Sequence, residues 1–131
     1  VRGADRSVVA MLLALVAWLG PALPAVAAAA DPADGEIRAL IAALADSPCR
    51  FQRNGSWYDA PRAAAHLQRK YDYLRRRGQA GDAQQFIERA ASTSSVSGRP
   101  YRVACPGQPE RDAGPWFDDQ LRMLRRHPAP R

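Results

Sequence analysis

His66, Lys70 and Tyr73 are spaced by four and three residues, which puts an imidazole, an ammonium and a phenol on one face of a helix. Such a trio could clamp an anion or, with the imidazole as general base, move a proton. The plainer alternative is a half-exposed stripe at the core boundary, its histidine satisfied by a backbone carbonyl. A second candidate is the hydroxyl-rich run Ser92-Thr93-Ser94-Ser95-Val96-Ser97-Gly98. There Ser94, Ser95 and Ser97, with charge added by Arg99, could present several donors to a phosphate, sulfate or carboxylate. The run lacks the Gly-x-x-x-x-Gly-Lys pattern of a phosphate loop and the Gly-x-Ser-x-Gly of a nucleophile elbow. A turn whose serines bond their own backbone would read the same way. Combining both candidates gives a third: a triad of a loop serine, His66 and an acid such as Asp59 or Glu88. Spacing neither supports nor excludes it, and Asp59 reads more naturally as a helix cap. Cys49, Cys105, His66 and His127 match no metal-ligand spacing, so no metal or cofactor is expected.

The elements that would carry these groups are legible in part. Ile37, Leu40, Ile41 and Leu44 recur at helical spacing after a short Asp31–Gly35 linker, with Asp34 as N-cap. Asn54-Gly55 between alternating runs is a hairpin signal. A two-residue turn pairs Arg53 with Ser56 and puts Tyr58 on the Phe51 face; a three-residue turn would move Trp57 there instead. The first is favoured, and it makes Trp57 either a lid or an exposed aromatic at a binding surface. Asp59 caps the next helix, with Pro61 in its first turn and Ala60, Ala64, Leu67, Tyr71 and Leu74 inward. Arg62, Arg69 and Arg76 fall on the far side, and Gly78 ends the helix. Asp82 starts a second helix over Ala83–Ala91, expected to pack antiparallel on the first. Tyr101, Val103 and Cys105 alternate as a third strand, a loop spans Pro106–Pro115, and Phe117, Leu121 and Leu124 mark a last helix.

The N-terminus supplies an address. Arg2 and Arg6 precede the apolar run Val8–Leu19, followed by Pro21, Pro24 and the small residues Ala25 to Ala30. That is the layout of a secretory signal peptide, residues 1–30, with Ala-x-Ala sites ending at Ala27 and Ala30. A retained anchor is the competing reading, but the two prolines interrupt it where a span of about 20 residues should continue. No membrane span is expected after cleavage. Residues 31–126 then form a single domain, with 127–131 as a tail. In an oxidising compartment Cys49 and Cys105 are expected to bond. Closing a loop of that length would stabilise a small core by about 4 kcal/mol. The chain carries 19 basic and 13 acidic residues, a formal charge of +6. Outside the cytoplasm no nucleic acid partner is expected, and the anions on offer are head groups, acidic glycans and wall polymers. An arginine-rich composition that keeps a small domain soluble, with no dedicated anionic ligand, is the plainer account of the charge.

Several segments occur together in a recognisable order: Arg53-Asn54-Gly55-Ser56-Trp57-Tyr58, His66-Leu67 with Lys70-Tyr71-Asp72-Tyr73-Leu74, Gln85 to Ser92, and Ser97-Gly98-Arg99-Pro100-Tyr101 with Cys105. From about Ile37 to Cys105 the chain resembles the YfeK-like family of small exported bacterial proteins, a domain of unknown function. The resemblance implies a periplasmic location and brings no catalytic residues. It also removes any meaning from Asn54-Gly55-Ser56 as a eukaryotic glycosylation acceptor.

The expectation is therefore an α+β domain ordered helix, β-hairpin, two helices, strand, helix, with one disulfide. Its surface would combine the hairpin, the His66/Lys70/Tyr73 stripe and the Ser92–Arg99 loop. The leading function is a periplasmic binding or accessory module for an anionic envelope component or another envelope protein. The alternatives are a small hydrolase using His66 with a loop serine, and a purely structural envelope protein.

Overall fold

The computed structural model describes residues 20–25, 31–128 and 130. Most of the expected signal peptide, residues 1–19 and 26–30, lies outside the described residues, as do positions 129 and 131 of the tail. Residues 20–25 carry no regular secondary structure.

Helix α1 spans Pro32–Asp46 and buries Ile37, Leu40, Ile41 and Leu44. Its start corrects the sequence reading. Asp31, not Asp34, is the N-cap, its side chain accepting from the Ala33 N–H, with Pro32 in the first turn. Proline suits that position because its missing N–H would have had no intrahelical partner there. Asp34 instead accepts from Arg38 and from the Tyr71 hydroxyl, tying α1 to the next helix.

Strands β1 (Arg50–Arg53) and β2 (Ser56–Asp59) form the expected two-residue hairpin, with Arg53 opposite Ser56 and Phe51 opposite Tyr58. Asn54 and Gly55 both take positive φ, which is what this turn requires of its central pair. Asp59 ends the hairpin and caps α2, Ala60–Arg76, by accepting from the Arg62 N–H. Ala60, Ala64, Leu67 and Tyr71 are its buried stripe, as the spacing indicates.

Asp82 opens the next helix through a reciprocal capping box with Gln85. The helix does not continue to Ala91 as an α-helix: α3 covers only Ala83–Phe86 and passes into a π-helical turn, Ile87–Ala91. The anticipated antiparallel pair is also revised, because α2 packs chiefly on α1, while α3 meets α1 and the π-turn meets both α4 and α2. Strand β3 (Arg102–Ala104) carries the buried Val103, and Cys105 lies just beyond its end. Within the expected Pro106–Pro115 loop the chain forms a two-residue strand, β4 (Arg111–Asp112), and α4 (Ala113–Arg126) starts before Pro115.

The result is a four-stranded antiparallel sheet in the order β2-β1-β3-β4, with helices over the face that bears Phe51, Tyr58 and Val103. Phe51 meets Trp116 of α4 edge-on, with ring centroids 5.2 Å apart, and Tyr71 meets Phe86 likewise at 5.4 Å. Cys49 and Cys105 form the expected disulfide. The bond joins the chain just before β1 to the chain just after β3, so it clamps the central pair of the sheet. No helix among the described residues is long and apolar enough to cross a membrane.

Candidate functional site

The hairpin register decides what faces α2. With Phe51 opposite Tyr58, the residue two further along β1, Arg53, shares their face. Arg53 therefore reaches over α2, and its Nη1 lies 2.7 Å from Nδ1 and 3.1 Å from Nε2 of His66. A guanidinium only donates, so the imidazole must accept and is neutral. Burial holds the His66 pKa down to about 4, helped by the positive charges of Arg53, Lys70 and Arg69.

Beside this pair opens a cavity of about 120 Å³. Its rim carries Arg53, Arg62 and Arg69 with His66, Tyr58 and Tyr101. Its floor is core: Leu44 from α1, Phe51 from β1, Leu67 from α2 and Phe117 from α4. Among the described residues no Asp or Glu lines it, and none pairs with its three arginines. Arg53 and Arg62 instead flank the Tyr58 ring, at 5.2 and 5.4 Å from its centroid. The hydrogen bond from Arg53 lowers the phenol's pKa. Arg62, held against the Tyr58 ring and free of any carboxylate among the described residues, keeps its N–H groups for a planar anion, and Arg53 keeps those that His66 and Tyr58 do not use.

Lys70 sits behind this rim. Its Nζ donates to the Ala90 carbonyl at 2.7 Å, the Tyr101 hydroxyl at 3.1 Å and the Thr93 carbonyl at 3.4 Å. Burial, with Arg53, lowers its pKa to about 8, so it stays cationic at neutral pH. Its first task is to satisfy carbonyls at the end of the π-turn, which an irregular helix end would otherwise leave unpaired.

The other sequence candidates are dispersed. Tyr73 is exposed and covered by Arg77, 3.8 Å from the ring centroid. Trp57 lies on the opposite sheet face under Arg50 and does not line the cavity. Ser94 is 4% exposed, and its hydroxyl accepts from the N–H groups of Val96 and Ser97 within its own turn. Ser97 donates to Asn54 Oδ1 at 2.6 Å, so the loop does touch the hairpin turn, but outside the cavity. Ser95 and Arg99 are exposed and also stand outside the lining. Of the anticipated trio on α2, His66 alone lines the cavity, with Lys70 joined to it through Tyr101.

Arg53, Arg62, Arg69, Tyr58 and Tyr101 line the cavity without belonging to any of the three sequence candidates. Arg62 and Arg69 are exposed, away from the buried stripe of α2, and at four before and three after His66 they stand beside it at the cavity edge. That spacing was the available signal.

Residues 31–125 match a family of unknown function, DUF5329. The chain belongs to that family. It is also 36% identical over 96 residues to the uncharacterised protein YfeK of Salmonella typhimurium, an alignment covering 72% of each chain. No solved structure matches. The family span contains every residue that lines the cavity, and the disulfide as well.

Proposed function

We propose that this protein is a binding module of the bacterial envelope that takes up an anionic group at the Arg53/Arg62/Arg69 rim. Residues 1–30 would export it to the periplasm and be removed, leaving a domain that closes its disulfide there. The observation that carries the reading is the cluster of three arginines around a concave site that no carboxylate lines among the described residues. Like charges lining one small cavity repel unless something negative joins them, and forked N–H groups suit a carboxylate or phosphate. The disulfide supports the location, since such bonds persist in oxidising compartments.

The hydrolase alternative draws no support from the geometry. The hydrogen-bond partner of His66 is a guanidinium, where a triad needs a carboxylate to orient and charge the ring. A base whose pKa is about 4 has little affinity for a proton at neutral pH. Ser94 and Ser97 are occupied in their own turn and with Asn54.

The test is an NMR titration of the oxidised chain with inorganic phosphate and with acetate at low ionic strength. Guanidinium Nε–H signals of Arg53, Arg62 and Arg69 should shift together and saturate. The double variant Arg62→Gln/Arg69→Gln should lose the response while keeping its fold. Shifts spread evenly over all exposed arginines would reject the site.

A further inference from the structure

The cavity has two chemically different ends, and a bare inorganic anion would use one of them. All of its guanidinium charge lies at the mouth, on β1 and on one face of α2. Its depth is hydrocarbon and aromatic surface contributed by α1, β1, α2 and α4. Small residues, Ala91 at the end of the π-turn and Ala113 at the start of α4, line the wall where a larger side chain would fill the space. Lys70 does not line the cavity and is engaged with Ala90, Thr93 and Tyr101, so the fixed positive charge that lines it is that of the guanidiniums at the opening.

We infer that the ligand is a small organic anion of amphiphilic shape, its carboxylate or phosphate on the three rim arginines and a short alkyl chain or single ring on the Leu44/Phe51/Leu67/Phe117 floor. The inference rests on the anion-binding reading above and adds the class of ligand. Size limits the tail. A cavity of about 120 Å³ is smaller than the ~150 Å³ apolar cavity that accommodates benzene, so a tail of at most about five carbons, that of hexanoate, fills it. A carboxylate and a phosphate head share this chemistry, and the rim accepts either through forked N–H donors. The phenols of Tyr58 and Tyr101 stand at the boundary between the two ends, where an amphipathic ring is at home.

The experiment is calorimetric titration of the oxidised chain with acetate, butyrate, hexanoate and dodecanoate, with hexyl phosphate and hexylamine alongside. Affinity should rise about fourfold for each added CH2, the equivalent of ~0.8 kcal/mol, and level off near hexanoate. Hexanoate and hexyl phosphate should bind and hexylamine should not; the tighter of the two anions identifies the preferred head. Ala63→Leu, which adds bulk at a half-buried cavity-lining position on α2, should weaken hexanoate more than acetate. Equal affinity along the carboxylate series would overturn the amphiphile inference and leave the anion site standing. A rise continuing to dodecanoate would overturn the size limit. Hexylamine binding as well as hexanoate, or no anion binding at all, would overturn the reading underneath.

Discussion

Arg53 donates to His66 across a separation of 13 residues, from the end of β1 to the second turn of α2. The contact joins the hairpin to the helix that follows it and settles the protonation state of the imidazole. It also aims the guanidinium across the mouth of the cavity, beside Tyr58. His66 thus helps to fix the direction of the Arg53 guanidinium.

The pH dependence of stability follows from this pair. His66 has a pKa of about 4 in the fold, against about 6.5 for an unperturbed histidine. Between those values the unfolded chain binds a proton that the native chain does not. The stabilisation is therefore complete above pH 6.5 and lost as pH falls through 4. Solvent screening reduces the loss to on the order of 1 kcal/mol. Denaturant unfolding at pH 7 and pH 4.5 should show a steeper decline for wild type than for His66→Gln, which can still accept from Arg53. Parallel declines would contradict the assignment.

What the sequence made legible was local chemistry. Asn54-Gly55 admits positive φ twice and so dictates the register that places Tyr58 and Arg53 over α2. Asp59 followed by Pro61 marks a helix start, and Cys49 and Cys105 pair. What stayed hidden depends on neighbours distant in the chain. Arg62 and Arg69 are exposed, as their spacing indicates, but periodicity does not show that the hairpin folds over α2 and makes a cavity edge beside them. The π-turn at Ile87–Ala91 has no sequence signature comparable to a proline or glycine. Strand β4 is only two residues long and exists because β3 offers it an edge. Asp34 lost the capping role to Asp31 because Pro32 fits the first turn, and its carboxylate is used by Arg38 and Tyr71 instead.

Reduction should be costly. The Cys49–Cys105 bond closes a loop of sequence separation 56, worth about 4 kcal/mol in the chain-entropy picture. A Cys49→Ser/Cys105→Ser variant should unfold at much lower denaturant, and wild type in dithiothreitol should match it. Coincident midpoints for oxidised wild type and the variant would show that the clamp across β1 and β3 contributes nothing.

The loop serines should separate cleanly. Ser94→Ala removes a buried acceptor from two backbone N–H groups and should cost about 1–2 kcal/mol. Ser97→Ala removes an exposed bond to Asn54 and should stay within about 0.5 kcal/mol. Chemical denaturation of both variants checks the order. The reverse ranking would mean that the loop is held by the hairpin turn, not by its own serine.

Lys70 offers a sharper test of the same region. Lys70→Met keeps the chain length but removes the donor shared by Ala90, Thr93 and Tyr101. Unsatisfied acceptors at the end of the π-turn should cost about 1–3 kcal/mol. Burial holds the Lys70 pKa at about 8, below the 10.5 of a free lysine, so the charged form is the one the fold disfavours. The native chain therefore releases a proton that the unfolded chain retains between pH 8 and 10.5, and the stability contributed by Lys70 grows across that window. The gap between wild type and Lys70→Met should accordingly widen from pH 8 to pH 10.5 in denaturant unfolding. A gap that narrowed would mean that the ammonium's three acceptors outweigh its burial and hold the pKa above that of free lysine.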